Sequence, residues 1–390
     1  MRDTLIDHSQ TRKSGVNALH HLSWQDQSET HTSVWQSEAG QPPPKQVIIV
    51  DDTMTGDAAY WRACAGTAML YAGDFQNAKQ LLQAVTRRAD RKPAKPMATM
   101  LEAFHQHRAR QIGRANITNR ILIQLHEGKC VLNRSPDMLA AVEGALGTAP
   151  PASMVLSLRE TLGMIGAHEW RKKGVPIAAL GTNIHAHYGV FAPVRNEYLD
   201  LINTATLNRP QVAWDIGTGT AVIAALLVAR GVPQVIGTDN SARAVVCAAE
   251  NIQRLEMQSK IQLVEADLFP DGQADLIVCN PPWIPAKVNT PMERSIYDPN
   301  SQMLRGFLSG VGARLTTNGE AWLVMSNLSE NIGLRAIDEL PNWIAQAGLT
   351  VIQKLDTSPT HAKSDDQSDP LYAARSQEVT SLYRLQAAGA

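Results

Sequence analysis

The chain has 390 residues, enough for two or three domains whose cores need no disulfide or metal staples. Its 36 lysines and arginines nearly balance 37 aspartates and glutamates, a formal charge of −1, which excludes a protein that grips nucleic acid by bulk charge. Hydrophobic content of 44%, no apolar run near the ~20 residues that span a bilayer, and no signal-peptide core at the start imply a soluble, cytoplasmic globular protein with no membrane partner.

Residues 1–45 are polar and end in Pro42, Pro43 and Pro44, so they read as a flexible tail, although Trp24 and Trp35 argue for some docking. Residues 46–180 read as a mainly helical domain suited to substrate recognition. Asp74 can cap a helix whose apolar positions Phe75, Ala78, Leu81, Leu82 and Val85 follow a 3.6-residue period. Pro93 and Pro96 break it, and the pattern restarts from Met97 to Gly113. Arg120–Leu125 looks like a strand, and Pro136–Leu146 and Ser153–Lys172 like helices. Cys64, Cys130, Cys247 and Cys279 form no CxxC pair and read as reduced thiols.

Residues 181–390 change to strands alternating with helices. Strands are expected at Val212–Ile216, Gln234–Thr238, Ile261–Ala266, Asp275–Cys279 and Glu320–Ser326, with a terminal pair at Leu349–Leu355 and Glu378–Leu385. Helices are expected at Ala221–Ala229, Ser241–Glu256 and along the stripe Leu304, Phe307, Leu308, Val311, Leu315. Apolar strands between amphipathic helices predict an α/β fold, a doubly wound, largely parallel seven-stranded sheet covered on both faces. Ligands in such sheets bind at the carboxyl ends of the strands.

At those ends the residues become specific. The first strand runs into Asp215, Gly217, Thr218 and Gly219, where glycines let the backbone turn sharply and approach a ligand closely. A dinucleotide fingerprint would need a third glycine where Val222 stands, and an acid just before the loop suits a cationic ligand better than a phosphate. Asp239, followed by Asn240, ends the second strand and can take both hydroxyls of a ribose. Asp267 and Leu268 end the third, suited to the amine and face of an adenine. A lone aspartate would be read as a helix cap; three acids and two glycines at successive strand ends outweigh that reading.

The fourth strand ends in Asn280, Pro281, Pro282 and Trp283. The prolines fix the backbone and remove donors, so the loop presents carbonyl acceptors, to which Asn280 adds its side-chain oxygen. A planar NH₂ group can be held by two acceptors while Trp283 stacks on its face. Orientation then supplies most of the gain, and no strong base is required.

Together these residues resemble the class I S-adenosylmethionine (SAM) methyltransferases, in the amino-methyltransferase branch with an Asn-Pro-Pro-aromatic signature. Within it the chain is most similar to the HemK/PrmC-like protein-glutamine methyltransferases, through Thr218, Gly219, Asn280, Pro281, Pro282 and Ile284. Ala221 replaces that family's last loop glycine, Trp283 replaces its usual tyrosine, and Phe191–Glu197 is similar to its proline-containing segment. The resemblance covers residues 181–390. It implies SAM as cofactor, Asp215 facing the methionine amino group, Asp239 the ribose, and a protein glutamine side chain as acceptor. The alternatives are an exocyclic amine of an RNA base, in rRNA or tRNA, and a SAM-binding module without turnover.

Three weaker signals remain. His185 and His187 share a face if Asn183–Gly189 is a strand, but no third ligand joins them and no metal is expected; a substrate-side role beside Tyr188 is the other reading. Arg87, Arg88, Arg91, Lys92, Lys95, Arg108, Arg110 and Arg114 face only Asp90 and Glu102 over one stretch, either a solvated helix face or an RNA or ribosome contact. Residues 356–377 join two strands as either a loop or an active-site flap.

Overall fold

The computed structural model describes residues 20–91, 95–359 and 366–388. The tail expected at 1–45 is corrected where it is described: His21–Asp26 (β1) and Glu29–Trp35 (β2) form an antiparallel hairpin. Leu22 and Trp24 alternate inward at period two and bury themselves against Leu70, Leu122 and Val155, with Trp35 packed against the same cluster, so a few large side chains order a mostly polar stretch. The remainder of that expectation, residues 1–19, lies outside the described residues.

The mainly helical domain expected at 46–180 is corrected to helices packed on a mixed sheet. Val47–Val50 (β3), helix Gly56–Cys64 (α1), Ala68–Tyr71 (β4), helices Phe75–Asp90 (α2) and Met100–Thr118 (α3), and Ile121–His126 (β5) follow in order. Then come Lys129–Cys130 (β6), helix Leu139–Leu146 (α4), Ser153–Ser157 (β7) and helix Leu158–Lys173 (α5). The sheet order is β1-β2-β7-β5-β4-β3, with β6 paired to β5. β4 is buried on both faces, and such short apolar runs carry no alternation to separate them from helix. The helix expected at Ser153–Lys172 is split for a similar reason. Its first five residues are a strand that abuts α5 without a loop, and Ser157 caps that helix by accepting from the Glu160 amide at 3.0 Å. Asp74 caps α2 as expected, accepting from Gln76 and Asn77.

A hairpin of Val175–Ile177 (β8) and Thr182–Ile184 (β9) and helix Glu197–Thr204 (α6) lead into the second sheet. Its elements are Val212–Ile216 (β10), Val222–Ala229 (α7), Gln234–Asp239 (β11), Ala242–Arg254 (α8), Ile261–Glu265 (β12), Ala274–Cys279 (β13) and Gln302–Val311 (α9). Leu315–Ser326 (β14), Leu328–Ile332 (α10), Glu339–Gln346 (α11), Leu349–Thr357 (β15), Tyr372–Arg375 (α12) and Thr380–Ala387 (β16) complete it. The order is β12-β11-β10-β13-β14-β16-β15, parallel except for β16, which runs antiparallel to both its neighbours. This is the doubly wound seven-stranded sheet expected.

Both faces are covered. Ala213 of β10 points into a core made with α6, α7 and α8, while its neighbours Trp214 and Ile216 point into one made with α9 and α11. Leu304, Phe307, Leu308 and Val311 are fully buried on α9, each worth roughly 1.5–3 kcal/mol relative to exposure. The strand order reverses between β10 and its neighbours β11 and β13, so the crevice for a ligand opens at the carboxyl ends of these three strands.

Candidate functional site

The loop after β10 is built on left-handed backbone: Gly217 has φ 71°, Gly219 φ 55° and Ala221 φ 62°. At Ala221 that conformation costs about 1–2 kcal/mol, which explains why glycine is the usual residue there. At Gly217 the φ of 71° strains any residue with a side chain, whereas a Cβ there would meet only the movable Met303 Cε at 2.8 Å.

Asp215 lies beneath the loop, 1% exposed. Its Oδ2 accepts from the Thr218 hydroxyl at 2.6 Å and from the Ala224 amide in the first turn of α7 at 3.0 Å. It therefore does what a helix cap does, while its buried Oδ1 has no partner among the described residues. Burial pushes the Asp215 carboxyl up to about 6. Asp239 ties β11 to the loop: its Oδ2 accepts from the Gly219 amide and its Oδ1 from the Ser241 amide, both at 3.0 Å. Burial raises its pKa as well. Leu268 is held by its carbonyl, which accepts from the Thr238 hydroxyl at 2.5 Å.

A cavity of about 1730 Å³ gathers these strand ends. Gly217, Thr218, Gly219, Asp239, Asn240, Asp267, Leu268, Asn280, Pro281, Pro282 and Trp283 all line it, whereas Asp215 sits one layer below. These residues fit SAM: glycines open a cradle for backbone approach, Asp239 stands at the wall, and the buried Asp215 carboxylate beneath the loop can favour a cationic amine on the cavity side without touching it.

Around the tetrad, the Trp283 indole N–H donates to the Asn280 Oδ1 at 3.0 Å, and the Ser329 hydroxyl donates to the Trp283 carbonyl at 2.7 Å. An amide oxygen has two lone pairs, so Asn280 keeps one for a further donor. The buried Tyr198 hydroxyl also hydrogen-bonds the Asn280 side chain. Burial still holds the Tyr198 phenol above its ordinary range.

Sequence reasoning missed Tyr198 and the N-terminal wall. Phe104, His107 and Gln111 of α3, together with Glu38, line the same cavity. Arg108 on α3 donates to both carboxylate oxygens of Glu293 (3.0 and 3.3 Å) and to the Lys287 carbonyl (2.6 Å), and its guanidinium lies 4.0 Å over the Tyr297 ring. The segment after the tetrad is thereby clamped to the N-terminal domain. A buried arginine carries no sequence signature that separates it from a solvated one, so the basic stretch concealed this contact. Arg88 pairs with Asp57 and Arg114 with Asp90, while Lys92 lies outside the described residues. From the other side, Asp369, Leu371 and Arg375 of the segment expected as loop or flap reach the cavity wall; residues 360–365 of it lie outside the described residues.

His185 and His187 stand apart from the cavity. The Nδ1 of His185 contacts the Arg171 carbonyl at 2.6 Å, and the Nε2 of His187 contacts the Glu250 carboxylate at 2.9 Å. No group of three or more metal-ligating side chains occurs among the described residues. No described helix is long and apolar enough to cross a membrane.

Comparison with known proteins gives a consistent picture. Residues 182–334 match the methyltransferase small domain family. A Methanocaldococcus jannaschii protein provisionally named a protein N5-glutamine methyltransferase is 27% identical over 47% of this chain and 80% of its own length. A release factor glutamine methyltransferase of Rhodopirellula baltica is 31% identical over 28% of this chain and 40% of its own. A tRNA1(Val) (adenine(37)-N6)-methyltransferase of Bacteroides thetaiotaomicron is 30% identical over 28% of this chain and half of its own.

Proposed function

We propose that the cavity, in a chain whose residues 182–334 match the methyltransferase small domain family, transfers a methyl group from SAM to the side-chain nitrogen of a protein glutamine. The observation that carries this reading is the convergence of Asn280-Pro281-Pro282-Trp283 and the Gly217–Gly219 loop with Asp239 on one cavity. When bound, SAM supplies a methyl carbon on a positively charged sulfur that leaves as a neutral thioether.

Asp239 takes the ribose hydroxyls, and the unpartnered Oδ1 of Asp215 draws the amino group toward the loop. Asn280, its amide held by Tyr198 and Trp283, offers its second lone pair to one N–H of the acceptor. The loop carbonyls take the other N–H, and Trp283 bounds the acceptor plane. Held so, the acceptor nitrogen would present its lone pair to the methyl group of bound SAM, whose sulfur would leave as a thioether, and the nitrogen would then release its proton to water. Among ionisable lining residues, six acids face four arginines, which disfavours a nucleic-acid backbone and supports a protein acceptor. The names of the archaeal and planctomycete relatives point the same way. The N-terminal domain, through α3, supplies the acceptor wall.

Methyl-labelled SAM, the purified protein and an extract lacking its own copy test this. Label that is protease-sensitive and ribonuclease-resistant is expected. Ribonuclease-sensitive label would replace the glutamine by an RNA base amine, the acceptor class named for the tRNA-modifying relative.

A further inference from the structure

Immediately before α6, Arg195 lines the cavity beside the tetrad, and its guanidinium carbon lies 5.3 Å from the centre of the Trp283 ring. An arginine is free to wander over such a ring unless its other nitrogens are tied down. Here they are. The Nε and Nη2 donate to the Glu197 carboxylate at 3.2 and 3.0 Å, and Nη2 also donates to Glu378 at 3.0 Å. Both carboxylates are buried, Glu197 at 5% and Glu378 at 2% exposure. Glu378 is fixed in turn by the Ser326 hydroxyl at 2.6 Å, at the carboxyl end of β14. Two buried acids sharing one arginine make an expensive arrangement for stability alone, since apolar residues of the same volume would hold this junction at least as well. What the arrangement provides is a flat cation at a defined place against the indole whose N–H sits on Asn280.

We propose that Arg195 is a positioning residue for methyl transfer: pinned by Glu197 and Glu378, it holds the Trp283 ring in register so that the indole N–H stays on Asn280 and the ring face stays aligned with the acceptor plane. The proposal rests on the methyl-transfer reading for its consequence, but the clamp itself is a property of the chain. Lysine at position 195 would keep the charge between the two glutamates and lose the planar face. Methionine would lose both and is paired with Glu378→Gln so that one fewer buried carboxylate is stranded.

The test uses the full chain with ¹⁵N-labelled tryptophan, the Trp283 indole signal being identified by its loss in Trp283→Phe. S-adenosylhomocysteine (SAH) binding is followed in parallel by calorimetry. In Arg195→Lys the Trp283 indole N–H signal is expected to move and broaden, while those of the buried Trp214 and Trp322 stay in place. SAH affinity should remain within about twofold, because nothing in the clamp touches the glycine loop or Asp239. The Arg195→Met/Glu378→Gln double variant should show the larger displacement. An unmoved Trp283 signal in both variants overturns the proposal, and so does an equal shift of all three signals, which would mark a general structural role. Failure of SAH to bind the unaltered protein would instead contradict the methyl-transfer reading and leave the clamp standing or falling on the indole signals alone.

Discussion

Asp215 and Asp239 divide the work at the cofactor loop. Asp239 stands on the wall and ties the loop through Gly219, so Asp239→Ala removes a loop anchor together with the proposed ribose partner. We expect SAH affinity by calorimetry to fall by about 100-fold or more, the loss of two charge-assisted hydrogen bonds; near-normal affinity would refute the ribose assignment. Asp215 contributes differently, because its pKa is raised from 3.8 to about 6 by burial. Between those values the native state holds a proton that the unfolded chain has shed, so its stabilising contribution is present at low pH and is lost as pH rises from about 4 to about 6. A cationic amine beside the carboxylate reverses that preference. SAM affinity should therefore climb with pH over the same window, by up to about tenfold per pH unit, and level off above it. The raised Asp239 adds to the slope, so the comparison is with Asp215→Asn, which should flatten part of it. Identical profiles for the two proteins would place the amino group away from Asp215.

At the scale of elements, two contacts decide whether the site keeps its shape. Arg108 of α3 clamps the segment after the tetrad through Glu293 and the Lys287 carbonyl. In Arg108→Ala, trypsin should cut after Lys287 and Arg294 about tenfold faster or more, since local opening is no longer opposed by a mostly buried ion pair. An unchanged cleavage rate would mean that the loop holds itself. Arg384 of β16 donates to both oxygens of Glu320 on β14, at 2.9 and 2.8 Å, and Glu320 also accepts from Trp322 and Asn208. This buried network fixes the register of the antiparallel strand. Arg384→Met strands a buried carboxylate and should cost about 3–5 kcal/mol in denaturant unfolding; a loss below about 1 kcal/mol would show that strand packing alone sets the register.

Across the whole molecule, the C-terminal sheet was legible because its strands are continuous apolar runs ending in chemistry-bearing residues. Val212–Ile216 matches its expected bounds, and Gly217, Asp239 and Asn280 meet on one cavity because the strand ends that carry them are adjacent. The N-terminal sheet was not legible. Its strands are short, buried on both faces or abutted directly to a helix, and the hairpin β1–β2 declares itself only through Leu22 and Trp24. The sequence marked Arg195 only as part of the Phe191–Glu197 segment and did not mark Tyr198, because the contacts to Glu378, Trp283 and Asn280 join segments far apart in the chain. Glu38, Phe104, His107 and Gln111 of the N-terminal domain thus form a wall of the cavity, outside the family match, which begins at residue 182.

The central claim is that Asn280 and its loop perform methyl transfer on a cofactor held by separate residues. The most direct test compares the unaltered protein with Asn280→Ala in two measurements on the same preparations, SAM binding by calorimetry and label transfer from methyl-labelled SAM into extract. Near-equal affinity with transfer reduced by about 100-fold or more is the predicted result, because an acceptor-orienting hydrogen bond is lost while the cofactor contacts stay. Wild-type transfer by Asn280→Ala would contradict the account.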